Sequence, residues 1–253
     1  MNTRHQAIGI KQQIHLEWMQ KATNLLLAGI DNKSIRSELH DYLGEKKRND
    51  SESKGSEQTR TFVVNNLMNI WVTPAPELVP FRDASLALIQ AYPSESLSVH
   101  WGMISASYPF WYNIARQTGR LLALQDQVTQ AQIIKRLKEK YGDRQTISRY
   151  ARYVIRSFVE WGILKDTGGR GHYEKLIPRS ISDTRFAIIL IESLLLASSE
   201  AKGPLNLMVN HPALFPFQLP AMTGDFIARN SERIEANRFG LDEVTLSHRL
   251  VGK

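Results

Sequence analysis

Residues 129–179 carry a net positive charge as large as that of the whole chain. The segment contains twelve Lys and Arg against five Asp and Glu, a net charge of +7, and the 253-residue chain also has a net charge of +7. The charges of all other residues therefore sum to zero. A charge excess confined to one segment indicates a local anionic partner, because a charge that serves only solubility would be spread along the chain.

The basic segment begins with a strong signal for the start of a helix. Thr129 and Gln132 have the spacing of a capping box, in which each side chain bonds the backbone N–H of the other residue. Gly142 is typical of a helix end about three turns later. The sequence therefore predicts a helix whose exposed side carries several cations, including Lys135 and Lys138.

A second helix is predicted to follow, from a cap at Asp143 or Thr146 to Trp161. Its apolar residues repeat at helical spacing and form one buried stripe. Several side chains of this helix are suited to contact base edges and phosphates, and we predict that they contact DNA. They are Arg144, Gln145, Ser148, Arg149, Arg152 and Arg156. A solvated basic face is the alternative interpretation. Such faces normally mix both signs of charge, however, and Glu160 is the only acidic residue of this helix after Asp143.

A glycine-tipped hairpin completes the basic segment. Residues 162–167 and 172–176 have the composition of two strands. The connector at residues 168–171 contains the glycines that a tight turn needs, and it places Arg170 at the tip.

Two helices followed directly by a basic-tipped hairpin resemble the winged helix-turn-helix family, over about residues 116–176. The resemblance implies that residues 144–156 form a recognition helix in the major groove. It also implies that Arg170 lies over the adjacent minor groove or backbone. Lys135 and Lys138 of the first helix and Lys165 and His172 on the two strands of the hairpin complete the predicted DNA contacts.

The predicted fold is mainly α. It consists of a helical N-terminal region (residues 1–110), a winged helix-turn-helix of three helices and a two-stranded wing (111–180), and a helical C-terminal region (181–253). Residues 45–60 contain no apolar side chain and are predicted to form a mobile loop. Residues 225–238 have a helical composition, whereas residues 241–250 are compatible with a short strand or a tail helix.

The sequence contains no pattern typical of an enzyme or a metal site. The histidines are scattered, cysteine is absent, and no catalytic motif is present. We therefore predict a protein that is not an enzyme and that uses no cofactor or metal. His100 and the aromatic residues around Trp111 are predicted to belong to the core. Without a signal-peptide pattern or about twenty consecutive apolar residues, a cytoplasmic protein with no membrane partner is expected.

These patterns predict a protein that binds double-stranded DNA, with or without sequence specificity. Its role would be that of a transcription regulator, or of the DNA-recruiting subunit of a bacterial multi-protein system such as phage defence. Partner proteins of a larger complex and a homodimer are open possibilities. The alternatives are a non-catalytic adaptor whose winged helix docks on an acidic protein, and a helical RNA-binding protein.

Overall fold

The computed structural model describes residues 3–5, 7–49, 57–239 and 243–249. Within these ranges the protein is mainly helical and contains three small β-sheets, which confirms the predicted class. The helices are α1 (Leu16–Leu27), α2 (Asn32–Asn49), α3 (Glu57–Leu67), α4 (Val79–Ala91), α5 (Ser96–Ser107), α6 (Pro109–Leu122), α7 (Gln130–Tyr141), α8 (Gln145–Glu160), α9 (Thr184–Ala197), α10 (Leu205–Val209) and α11 (Gly224–Asn230). The strands are β1 (Gln127–Thr129), β2 (Leu164–Asp166), β3 (His172–Lys175), β4 (Arg179–Ser180), β5 (Lys202–Pro204), β6 (Phe217–Gln218), β7 (Ile234–Phe239) and β8 (Glu243–His248).

The loop predicted at residues 45–60 is helical at both ends. Helix α2 extends to Asn49, and α3 begins at Glu57. Residues 50–56 lie outside the described residues. Glu, Lys and Arg have high helix propensity, so a segment without apolar side chains can extend a helix that is already nucleated upstream.

Trp101 of α5 lies at the centre of an aromatic cluster that joins the three predicted regions of the chain. The side chain is fully buried. Its ring centroid lies 5.0–6.3 Å from those of Trp111, Phe158, Trp161, Phe215 and Phe217. Each such pair contributes about 1 kcal/mol beyond the burial of its apolar area. The N-terminal, central and C-terminal regions therefore share one core.

Helices α5 and α9 pack against each other in the interior, and all residues of α5 are buried. His100 of α5 is fully buried and meets the ring of Trp71 edge to face at 5.3 Å. The prediction that this histidine belongs to the core is confirmed.

Strands β1, β2 and β3 form an antiparallel sheet in the order β1-β3-β2. Val128 of β1 pairs with Tyr173 of β3, and Lys165 of β2 pairs with Glu174 of β3. Both strands of the predicted hairpin are therefore present, and β1 joins them as an additional strand that the sequence did not predict. Strand β1 has only three residues, too few to show the alternation of polar and apolar residues by which a strand is recognised.

The prediction of a helix over residues 225–238 was wrong in its second half. Helix α11 ends at Asn230, and β7 begins at Ile234 within the predicted helix of residues 225–238. Strand β8 pairs with β5 and β7 in an antiparallel sheet. Strands β4 and β6 form a separate parallel pair.

The sheet of β5, β8 and β7 is attached to α9 by a buried ionic contact. Glu192 of α9 is fully buried and accepts hydrogen bonds from Arg233 Nε at 2.6 Å and Nη2 at 2.9 Å. His248 Nε2 lies 3.2 Å from the same carboxylate. Long-range partners of this kind override the local helix propensity that the sequence shows.

None of the helices in the described ranges is long and apolar enough to span a membrane.

Candidate nucleic-acid interface

Helix α7 begins with the predicted capping box. The Thr129 Oγ1 atom accepts a hydrogen bond from the Gln132 backbone N–H at 3.1 Å, and Gln132 Oε1 accepts one from the Thr129 N–H at 2.7 Å. Gly142 follows the helix with φ +82°, a conformation that favours glycine. Both ends of α7 are therefore fixed by residues that the sequence identified.

The start of α8 differs from the prediction. Neither Asp143 nor Thr146 is its capping residue. Arg144 occupies that position, and its side chain does not cap the helix. The guanidinium Nη2 of Arg144 instead donates to the Tyr141 carbonyl at 3.1 Å. Arg144 thus precedes the helix on which it was predicted to lie.

The apolar side of α8 is held against the rest of the protein. Ile147, Ala151, Val154 and Phe158 are all fully buried, as the helical spacing predicted. Burial of each of the larger side chains stabilises the fold by about 2 kcal/mol. The opposite side of α8 is therefore constrained to face solvent.

The N-terminal segment adds hydrogen bonds that fix the second half of α8. The backbone N–H of Ile14 donates to Ser157 Oγ at 2.9 Å, and Trp161 Nε1 donates to the Ile14 carbonyl at 2.9 Å. The Leu16 N–H donates to Glu160 Oε2 at 3.0 Å. These contacts make α8 a rigid support for its solvent-facing side chains.

The polar side chains of α8 share one face. Because successive residues of a helix are rotated by about 100°, the five polar side chains predicted on α8 span an arc of only about 100°. They are Gln145, Ser148, Arg149, Arg152 and Arg156. All three arginines are exposed, and within the described part of the chain none of them is in an ion pair. Arg149 stacks on the ring of Tyr150 at 5.2 Å.

The turn between β2 and β3 is closed by its own backbone and by the start of α7. The Gly168 N–H donates to Asp166 Oδ1 at 3.0 Å, and the Gln130 N–H of α7 donates to the Gly171 carbonyl at 2.8 Å. Gly168 and Gly171 have φ +79° and +74°, which side chains with a Cβ rarely adopt. The turn holds the exposed Arg170 at its tip.

Helix α8 and this turn enclose an open cleft of about 1140 Å³. Arg152 and Arg156 line it from α8, and Arg170 and His172 line it from the turn and β3. Residues that were predicted separately on the helix and on the hairpin thus meet on one concave surface.

Two carboxylates also line the cleft, and both are engaged by other groups. Asp166 accepts the N–H of Gly168 in the turn. Glu160 accepts the N–H of Leu16, and its Oε1 atom lies 3.6 Å from His15 Nδ1. Burial raises the pKa of Glu160 above its usual range. Three arginines against two carboxylates give these side chains a formal net charge of +1, so the positive charge of the cleft depends on the arginines.

The remaining predicted contact residues contribute unequally. Lys135 is exposed on α7. Lys138 pairs with Asp143 at 2.8 Å, and Lys165 pairs with Glu174 at 3.0 Å, so each of these charges is partly compensated. His172 is exposed, and its Nδ1 atom lies 3.2 Å from the Arg170 carbonyl oxygen.

Gln13 and Gln130 also line the cleft, and sequence reasoning missed them. Gln130 follows the predicted cap of α7, so its position next to the turn had a local signal. Gln13 reaches the cleft only because the N-terminal segment packs on α8, a long-range contact with no local signal. Among the described residues, no group of three or more His, Asp or Glu is placed to hold a metal ion.

Comparison with known proteins found no matching family model, no similar curated protein and no similar solved structure. The geometry of the cleft is therefore the basis on which a function is inferred.

Proposed function

We propose that this protein binds double-stranded DNA, with residues 109–175 acting as a winged helix-turn-helix. In this proposal α8 is the recognition helix and the β2–β3 turn is the tip of the wing. The observation that carries the proposal is the cleft in which Arg152 and Arg156 of α8 face Arg170 of the turn.

The order of the elements supports this assignment. Helix α6, strand β1, helices α7 and α8, and strands β2 and β3 follow one another along the chain, and the sheet has the order β1-β3-β2. This succession is typical of winged helices. The packing of α7 against both α6 and α8 corresponds to the helix-turn-helix pair of such folds.

The chemistry of the exposed face suits a duplex. A major groove about 12 Å wide admits one α-helix, and guanidinium groups make bidentate contacts with guanine edges and phosphates. Gln145 and Ser148 lie in the first turn of α8, the part of a recognition helix that usually meets base edges. Arg156 lies further along the helix and Arg170 on the turn, where phosphate contact is the expected role.

The test is fluorescence anisotropy with a labelled duplex, using the wild type, R152A/R156A and K33A/K202A. Lys33 of α2 and Lys202 of β5 are exposed and do not line the cleft, so the second variant removes the same charge elsewhere. We expect R152A/R156A to weaken binding at least tenfold, since an arginine contact is worth roughly 1–3 kcal/mol. The control should bind nearly as the wild type does. Equal losses in both variants would contradict the assignment of the interface.

The same assay separates the proposal from its alternatives. A preference for structured RNA over DNA of the same sequence would favour an RNA-binding protein. Failure to bind any duplex would favour an adaptor. If duplex is bound, the ratio of its affinities for preferred and random sequences distinguishes two roles. For a transcription regulator this ratio should be far above roughly ten, whereas for a DNA-recruiting subunit it should not.

A further inference from the structure

A second surface lies at the other end of the β1-β3-β2 sheet. Leu124 is 87% exposed and Ile177 is 92% exposed, the highest values among the large apolar side chains that the structure describes. A single exposed leucine is ordinary, but two large exposed apolar residues whose chain neighbours line the same pocket indicate an interaction site.

The pairing of β1 with β3 brings the segments that contain these two residues to the same end of the sheet. Gln127 of β1 is paired with Glu174 of β3, and the Lys175 N–H donates to the Asp126 carbonyl at 2.9 Å. Leu124 lies two residues before Asp126, in the turn that ends α6, where its N–H donates to the Leu121 carbonyl at 3.0 Å, and Ile177 lies two residues after Lys175. Both lie at the end of β3 that is remote from the turn at residues 168–171.

An open pocket of about 480 Å³ adjoins these residues. Ala123 and Pro178, the chain neighbours of Leu124 and Ile177, line it, and so does Lys175. Its apolar wall includes Leu122, Leu214, Phe215, Phe217 and Leu219. We call Leu124, Ile177 and this pocket the sheet-end surface.

The border of the sheet-end surface is positively charged. Arg116 and Arg120 lie one turn apart on α6, and Leu124 continues the same stripe by four residues. Neither arginine has an ion-pair partner in the part of the chain that the structure describes. Lys175 lines the pocket, and no acidic residue does.

The cations on α6 are close enough to affect one another and a neighbouring histidine. Burial, followed by the charges of Arg116 and Arg136, lowers the pKa of Arg120. His211 lines the pocket, and burial together with Arg116 and Arg120 lowers its pKa to about 4. The histidine is therefore neutral at pH 7, and the charge at the border comes from the arginines and Lys175.

We propose that the sheet-end surface docks a segment of a partner protein that carries a large apolar side chain flanked by carboxylates. The apolar side chain would fill the pocket between Leu124 and Ile177, and the carboxylates would pair with Arg120 and Lys175. A nucleic-acid backbone supplies no comparable apolar group. A two-fold contact with a second copy would set this cationic border against itself.

This proposal is independent of DNA binding. The wing tip, which lines the α8 cleft, and the sheet-end surface lie at opposite ends of β3, so both surfaces can be occupied at once. A partner held at the sheet end would be carried to the duplex without covering α8.

The test begins with selection of random displayed peptides on the immobilised full-length wild type. We expect the selected peptides to be enriched in Asp and Glu around a large apolar residue. They should bind L124S/I177S and R120Q/K175Q at least tenfold more weakly than the wild type, because each variant removes two exposed contacts. Leu207 is 59% exposed and does not line the pocket, so L207S is the matched control and should bind normally.

Other outcomes would overturn the proposal. These are a selection that yields no peptide, peptides without acidic enrichment, and peptides that bind L124S/I177S as tightly as the wild type. Competition by duplex DNA for the selected peptides would assign the surface to nucleic acid. Self-association that L124S/I177S abolishes, measured by sedimentation, would assign it to a second copy. All variants alter exposed side chains, and circular dichroism should confirm that they are folded.

Discussion

Arg152 of α8 and Arg170 of the β2–β3 turn line the same cleft, although they belong to different elements and each is exposed. Their positions are set independently. The buried stripe of α8 orients Arg152, whereas the hydrogen bond from Gln130 to Gly171 fixes the turn that carries Arg170. A duplex held by both would be contacted in two places by a rigid support, which lowers the entropy cost of binding.

If the protein binds DNA as proposed, Arg170 of the β2–β3 turn is expected to contribute affinity without sequence preference. R170A should weaken the binding of all duplexes to a similar degree, because a phosphate contact carries no sequence information. The log–log dependence of affinity on salt should become shallower by roughly 0.9. Anisotropy titrations with two unrelated duplexes measure both effects. A loss confined to one duplex sequence would show that Arg170 reads bases.

The contact between Glu192 and Arg233 is expected to stabilise the C-terminal sheet. Removing the buried carboxylate in E192A leaves Arg233 without its partner, and the free energy of unfolding should fall by about 3 kcal/mol. Urea denaturation measures the change. The control is E235A, since Glu235 and Arg249 form an exposed pair at 3.1 Å whose loss should cost under about 1 kcal/mol. Equal losses of unfolding free energy in E192A and E235A would mean that burial of Glu192 adds nothing to the stability that its ion pair provides.

His100 is expected to make the fold sensitive to acid. Burial lowers its pKa to about 3 in the folded protein, whereas the usual value is near 6.5. The unfolded chain therefore binds the proton first as the pH falls below about 6.5, and stability declines from there toward pH 3. When the pH falls from 7 to 5, this histidine should lower the free energy of unfolding by about 2 kcal/mol.

Comparison of the wild type with H100L isolates that contribution. Both ring nitrogens of His100 lack a hydrogen-bond partner among the described residues, so an apolar side chain of similar size should be tolerated. The difference in unfolding free energy between pH 7 and pH 5 should be about 2 kcal/mol smaller in H100L. The same pH dependence of unfolding free energy in H100L and the wild type would mean that the histidine is protonated inside the fold.

Sequence reasoning succeeded where the signal was local. The capping box of Thr129 and Gln132 involves residues three positions apart, and helical spacing alone identified the buried stripe that includes Ile147 and Phe158. Exposure of Arg149, Arg152 and Arg156 followed from that stripe, since they occupy the opposite side of the same helix.

The errors at β1, at β7 and at Gln13 share a dependence on distant partners. Strand β1 exists because Val128 pairs with Tyr173, and β7 exists because β8 lies beside it. The composition of residues 225–238 favoured a helix, and pairing with β8 overrode that preference. Gln13 was missed in the cleft for the same reason, because no feature of its own segment indicates that it packs beside α8.

Duplex binding by α8 can be tested by the salt dependence of duplex affinity in the wild type, R152A/R156A and K33A/K202A. If both arginines contact phosphates, the slope of log affinity against log salt should become shallower by roughly two units in R152A/R156A, since each phosphate contact contributes roughly 0.9. The slope of K33A/K202A should match the wild type. Identical slopes for all three proteins, with unchanged affinity, would contradict a DNA interface on α8.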